Sequence, residues 1–264
     1  MAANSGIEWT EASWNPIAGC TRVSPGCVHC YAEVMTKRLE AMRKAKYTGL
    51  LDEHGRWNGK INFDEHALEL PLRTRKPTTY FVNSMSDLFH ENVPDDFLHK
   101  TIDVMENAPR HRFIVLTKRP ERMRDFLCNW LNNPLPNVIL GVSAENQKYA
   151  DERIPALLET PAACRLVSAE PLLGPIYFHV DWRIKLGWII TGGESGTGAR
   201  LCGSQWIREI VCDCAETSTP CFVKQLGANC DIRLRDRKGG DMAEWPKDLR
   251  VRQFPTLLQR TGAV

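Results

Sequence analysis

Short apolar runs alternate with helical patterns along most of the chain, and this alternation restricts the fold more than any other feature. The runs cover residues 15–19, 79–83, 111–117, 137–143, 164–168, 187–191 and 221–224. Most are continuously apolar, as strands buried on both faces are. Between them, Tyr31, Val34, Met35, Leu39 and Met42 recur at helical spacing over residues 31–46. Pro94-Asp95-Asp96 opens a helix whose Phe97, Leu98, Ile102 and Met105 face inward. Pro120 suits the first turn of a helix that buries Met123, Phe126, Leu127, Trp130 and Leu131. A further helix ends near Glu159, and Ser204 caps one carrying Ile207, Ile210, Val211 and Cys214. After the fifth run, Pro171, Gly174 and Pro175 predict an irregular connection.

Such an order implies right-handed crossovers and a parallel sheet. The expected fold is α/β, a partial or distorted (β/α) barrel with parallel strands, in one domain over residues 1–264; a doubly wound open sheet is the competing topology. Two segments lie outside the alternation. Residues 56–63 alternate in polarity after His54-Gly55, which predicts a hairpin insertion within 47–76. Residues 231–264 hold the turn Lys238-Gly239-Gly240-Asp241 and form an irregular C-terminal segment expected to close one end of the barrel. Val142-Ser143-Ala144-Glu145-Asn146 and Val167-Ser168-Ala169-Glu170-Pro171 nearly repeat, and Thr191-Gly192-Gly193-Glu194-Ser195 is a looser copy. Each places a glutamate just past a strand, on the rim where functional groups of parallel barrels gather.

A chain of 264 residues can bury a core without covalent staples. Its net charge of +2 argues against whole-molecule attraction to nucleic acid. Basic stretches at 37–46, 73–76, 118–124 and 233–238 read first as solvated faces. Residues 1–10 lack a basic start followed by an apolar core, and no apolar run is long enough for a bilayer, so a soluble, cytoplasmic protein without membrane partners is expected. Ten cysteines in a reducing compartment do not form a disulfide framework. Cys212 and Cys214, two apart on a helix, point to different faces.

Three of the cysteines demand a separate account. Cys20, Cys27 and Cys30 form C-x6-C-x2-C directly after the first run and before the first helix. Gly19 and Gly26 allow tight bends, and Pro25 restricts the loop. Three thiolates can anchor three irons of a [4Fe–4S] cluster and leave the fourth open. They can instead hold zinc with water as fourth ligand, or remain free thiols.

A three-cysteine loop after the first strand of a partial barrel resembles the radical S-adenosylmethionine (SAM) superfamily. More widely, the chain is similar to a phage-associated bacterial family with this loop. That likeness rests on Ile7-Glu8-Trp9-Thr10, Cys30-Tyr31-Ala32, Asn83-Ser84-Met85-Ser86-Asp87-Leu88-Phe89, Thr117-Lys118-Arg119-Pro120, Gly192-Gly193-Glu194-Ser195 and Val223-Lys224-Gln225-Leu226-Gly227. It brings no established reaction. The superfamily resemblance implies a [4Fe–4S] cluster on Cys20, Cys27 and Cys30, SAM chelated to its open iron, and an external electron donor. The chain departs from the superfamily in its longer first cysteine gap, in His29 before the last cysteine, and in Gly192-Gly193-Glu194 after the sixth strand rather than the second.

Within that frame, Ser84, Ser86 and Asp87 are candidates for the SAM amino group or ribose, or for capping the next turn. Lys118 and Arg119 suit an anion such as the SAM carboxylate, or solvation. Gly192 and Gly193 with Glu194 could wrap adenosine or a phosphate, or merely connect strand to helix. Glu145, Glu170 and Glu194 are candidate catalytic groups for substrate binding or proton transfer, or form salt bridges. The substrate is not legible; a nucleic acid or nucleotide is the guess that the phage association and basic stretches suggest. The competing functions are a zinc-dependent hydrolase or deaminase-like enzyme with one of these glutamates as base, and a metal-stabilised protein that binds nucleic acid or a partner without catalysis.

Overall fold

The protein is described by a computed structural model covering residues 3–4 and 6–259, so residues 260–264 of the C-terminal segment lie outside the described residues. Two compact units divide the chain, residues 1–139 with 161–163, and residues 140–160 with 164–264. The first unit holds β1 (Ala3–Asn4), β2 (Ala12–Trp14), β3 (Ile17–Ala18), α1 (Tyr31–Ala41), β4 (Asn62–Phe63), the single-turn α2 (Glu65–Leu68) and α3 (Leu70–Arg73), β5 (Thr79–Val82), α4 (Asp95–Glu106), β6 (Arg112–Thr117) and α5 (Pro120–Trp130). β7 (Val138–Ser143) carries the chain into the second unit. There follow α6 (Gln147–Glu159), β8 (Cys164–Ala169), α7 (Val180–Arg183), β9 (Trp188–Gly192), α8 (Ser204–Thr217) and β10 (Cys221–Gln225). This alternation of parallel strands and helices places the chain in the α/β class of partial (β/α) barrels, as the apolar runs predict.

In the first unit β2, β5 and β6 pair in parallel in that order, with β1 antiparallel at the edge. Their core is aromatic: Trp14, Tyr80 and Phe113 are fully buried, and the Trp14 and Phe113 rings lie 5.4 Å apart. The buried Trp14 indole is satisfied by donating to the Ala67 carbonyl at 2.8 Å. The first expected strand is corrected. The parallel strand is 12–14, not 15–19, because Pro16 offers no N–H to a ladder. Ile17 and Ala18 leave that sheet and pair antiparallel with Phe63 and Asn62. The insertion's hairpin is short, with its turn closed by Asp52 N donating to Arg56 O and a bridge between Leu51 and Trp57. The end of its alternating stretch belongs to β4.

The first helix is also corrected. It stops at Ala41, and Arg43 follows at φ 55. Its buried residues are Ala32, Glu33 and Thr36, whereas Tyr31, Val34, Met35 and Met42 are exposed. Periodicity reveals that a helix has two faces; what packs against it decides which one is covered. On α5, Met123 and Leu127 are buried as expected, but Trp130 is exposed.

The second unit continues β7, β8, β9 and β10 in sheet order, with β9 parallel to both β8 and β10. Every residue of β7 and β9 is buried. The C-terminal segment runs along the outer side of β10: Val223 N donates to Val251 O, and Gln253 N to Cys221 O. It covers the otherwise open hydrogen-bonding edge of the last strand. Gly203, not Ser204, is the N-cap of α8. Asp231 supplies the capping oxygen from 27 residues away, accepting from Ser204 N at 2.8 Å and from its hydroxyl at 3.2 Å. Asp231→Ala should cost about 1 kcal/mol of stability. In a chain of this size that reads as a fall of roughly 2–4 °C in melting temperature by calorimetry.

Candidate functional site

The cysteine loop begins at Gly19, where φ is 106 and an added Cβ would stand 2.1 Å from the Lys60 carbonyl oxygen. Only glycine fits this combination of backbone angle and contact. Beneath the loop lies a small apolar cluster of Ala18, Ala32, Leu50, Trp57 and Met85, against which Cys20 and Cys30 pack. The middle of the loop is pinned by Arg22, whose Nε donates to Glu33 Oε1 at 2.8 Å. Glu33 is buried on α1 and also accepts from Trp57 N at 3.0 Å. One carboxylate thus ties loop, helix and insertion together.

A second carboxylate organises the other side. Asp87 follows β5 and is buried. Its Oδ1 accepts from the Thr117 hydroxyl at 2.6 Å and from Phe89 N at 3.0 Å. Its Oδ2 accepts from Lys118 N and from Arg119 Nη1, both at 3.0 Å. Four donors fill a carboxylate's capacity. Arg119 also donates from Nε to Glu91 Oε2 at 2.8 Å and from Nη2 to Thr21 Oγ1 at 2.6 Å. Its Nη1 stands 4.0 Å from Cys20 Sγ. Burial disfavours the Arg119 charge more than any single neighbour favours it, but Asp87, Cys20 and Glu91 together outweigh burial and hold the guanidinium's pKa above its ordinary value.

His90 completes this arrangement. Asn92 N donates to its Nδ1 at 3.1 Å, so Nε2 carries the proton and donates to Thr21 Oγ1 at 2.9 Å. Burial and the nearby Arg119 hold its pKa down, which keeps the ring neutral. Thr21 donates its own hydroxyl hydrogen bond to Glu91 Oε1 at 3.1 Å. The residue between Cys20 and Arg22 is therefore clamped from three directions.

The thiols sit in contrasting surroundings. Burial pushes Cys20 up to about 12, with Asp87 adding to the rise and Arg119 opposing it. Burial also raises Cys30, but it caps α1, where the Ala32 and Glu33 N–H groups favour its thiolate. Cys27 and Cys30 both act on Cys20 electrostatically. A bound cation would reverse that mutual repulsion. Among the described residues no group of three His, Cys, Asp or Glu side chains is gathered tightly enough for one metal ion. A single zinc, with bonds of about 2.3 Å, needs its thiolates within roughly 4 Å of one another. A cluster that ties each thiolate to a different iron accepts a wider triangle. Three thiols on one braced loop are the type of donor set that such a group takes.

The residues after β5 divide into used and unused. Ser84 Oγ donates to Asn15 Oδ1 at 3.1 Å, and Ser86 Oγ to Ile17 O at 3.2 Å. Their hydroxyls fasten the strand exit to the start of the cysteine loop. Asn83 is different. It has φ 58, is 3% exposed, and neither polar atom of its amide has a partner among the described residues. A buried amide without partners is rare and calls for an explanation such as a bound group. The sequence signal was an asparagine directly after an apolar strand, a type that tolerates positive φ. The Lys118 ammonium makes no hydrogen bond or ion pair among the described residues, while its N–H is held by Asp87.

In the second unit the three rim glutamates all lie just past strands, and all are in ion pairs. Glu145 is fully buried with Arg153 Nη1 at 2.9 Å. Glu170 lies 3.2 Å from Lys224 Nζ and accepts from Ser168 Oγ at 3.3 Å. Glu194 accepts from Arg200 Nε at 3.1 Å and Arg200 N at 2.9 Å. Gly192 and Gly193 have a steric reason: a Cβ would meet Gln225 O at 2.8 Å or Leu226 O at 2.5 Å. Replacing Asp87 by Asn would turn an amide N–H2 towards donors and strand Arg119. Loss of about 3 kcal/mol in urea unfolding is expected.

Structural comparison gives several forms of spore photoproduct lyase. One mutant with dinucleoside spore photoproduct has TM-score 0.46 and 14% identity, over 85% of this chain and 58% of that one. A double mutant with bound AdoMet and dinucleoside spore photoproduct has TM-score 0.45 and 13% identity, over 86% and 58%. The chain thus spans 58% of the length of these proteins, and likeness of this degree carries no inference about activity. No curated protein matches the sequence. A profile of DUF5131, a family described as of unknown function, matches residues 4–251, and the chain belongs to that family.

Proposed function

We propose that the chain is a cytoplasmic radical SAM-type enzyme in which Cys20, Cys27 and Cys30 hold a [4Fe–4S] cluster. The observation that carries this reading is three thiols on one short loop, braced on one side by Glu33 and on the other by Arg119. When bound, such a cluster supplies the electron for reductive cleavage of SAM, which starts radical chemistry on a substrate.

The chain's own residues have separable tasks. Arg119, fixed by Asp87 and Glu91, keeps a positive charge beside Cys20. The Asn83 amide offers a donor and an acceptor to the methionine end of SAM, and the Lys118 ammonium offers its charge to the carboxylate. Ser84, Ser86 and Asp87 frame that place through their bonds to Asn15, Ile17, Thr117 and Arg119. In the second unit, Glu170 beside Lys224 is the pair best suited to hold and return a proton, because an ammonium stabilises the carboxylate between transfers. Glu145 and Glu194 serve the substrate only if their arginines let go. A nucleic acid or nucleotide is the proposed substrate class, on the basic stretches and the phage-associated resemblance.

Anaerobic reconstitution tests the reading. Brown protein with about four iron and four sulfide per chain is expected, and reductant plus SAM should release 5′-deoxyadenosine. Replacing all three loop cysteines by alanine should abolish the colour and the iron. Colourless wild-type protein with one zinc per chain would overturn the proposal. Asn83→Gly should leave thermal stability unchanged or raised, because glycine suits the positive φ and no bond is lost. The same variant should weaken SAM binding about tenfold by calorimetric titration, the worth of one buried hydrogen bond.

A further inference from the structure

Most of the apolar stripe at helical spacing on α1 faces water, Leu39 alone of it packing against the apolar cluster. Val34, Met35 and Met42 are 59%, 41% and 65% exposed. Val23 and Val28 of the cysteine loop are exposed as well. Residues 34, 35, 38 and 42 share one helix face, so Val34, Met35 and Met42 lie along one side of α1 and its C-cap with Arg38 among them. Exposed apolar groups gathered beside the cysteine loop mark a contact surface.

The charges around the band have one sign. Lys37, Arg38, Arg43 and Lys44 are exposed, and none forms an ion pair among the described residues. The acidic groups of the same helix are turned elsewhere: Glu33 to Arg22 and Trp57 N, Glu40 to Gly49 N. Four unopposed cations thus stand among and beside these apolar groups in a chain whose net charge is only +2. An apolar centre with a charged rim is the anatomy of a protein–protein contact, and the rim's sign selects an acidic partner. Valine and methionine at the centre offer nothing to a phosphate backbone. A second copy is disfavoured, because a two-fold contact would set each cation patch against itself.

We infer that α1 and the adjoining cysteine loop are the docking face for an acidic one-electron donor protein of the iron–sulfur or flavin class. This inference rests on the proposed function, which needs an electron delivered from outside to the group held by that loop. Cys30 is the N-cap of α1, so a partner seated on the band lies against the loop itself.

Reduction of the reconstituted protein, followed by bleaching of its visible absorbance, tests the inference. Reduced flavodoxin, an acidic protein, is the probe, and dithionite is the small-molecule control. Arg38→Glu/Lys44→Glu should slow reduction by flavodoxin about tenfold or more and remove its salt dependence. Reduction by dithionite should not change. Equal flavodoxin rates for wild type and variant would overturn the docking face while leaving the proposed function standing. A wild-type dimer that the variant disperses would assign the band to a second copy and overturn it too. Binding to anionic phospholipid vesicles or duplex DNA that the variant loses, with flavodoxin reduction intact, would do the same. Wild-type protein that takes up no cluster defeats the proposed function and this inference together.

Discussion

The four hydrogen bonds accepted by Asp87 are the constraint on which the first unit depends. Three of them join the exit of β5 to the exit of β6 through Thr117, Lys118 and Arg119, positions about thirty residues away in the chain. A buried carboxylate is tolerable only when its lone pairs are occupied and its charge is opposed. Asp87 meets both conditions, and in doing so it fixes the direction of the Arg119 guanidinium. From Arg119 the order spreads to Thr21, Glu91 and Cys20. A neutral His90 adds a second donor to Thr21 without adding charge.

Loops that present ligands need such bracing, because a backbone without ladder hydrogen bonds is otherwise mobile. Here it comes from opposite chemistries. Arg119 approaches from the strand exits with positive charge, while Glu33 approaches from α1 with negative charge and grips Arg22. The apolar cluster around Trp57 supplies the floor. The insertion that carries Trp57 is therefore part of the site's support rather than a decoration, and its strand β4 holds β3 just ahead of Gly19.

The second unit uses carboxylates differently. Glu145, Glu170 and Glu194 occupy equivalent places after successive strands, yet their surroundings separate them. Glu145 is sealed with Arg153, while Glu194 is wrapped by Arg200. Glu170 faces a lysine, whose single ammonium leaves more of the carboxylate available than an arginine fork does. A near-repeat in sequence thus becomes three distinct electrostatic environments.

The sequence by itself determined six of the seven parallel strands, the glutamates past three of them and the three-cysteine loop ahead of α1. Those features are local: apolar runs, helical spacing and residue spacing are written over short stretches. Only the tertiary structure decided that Pro16 splits the first run, that β3 pairs with the insertion, and that α1 turns its apolar stripe outward. It alone brought Asp87 to Arg119, Arg119 to Cys20 and Asp231 to α8, and left the Asn83 amide without a partner among the described residues. The reason is common to all of these. A hydrogen bond between residues tens of positions apart depends on how strands and loops are placed in space, and no window of sequence contains that information.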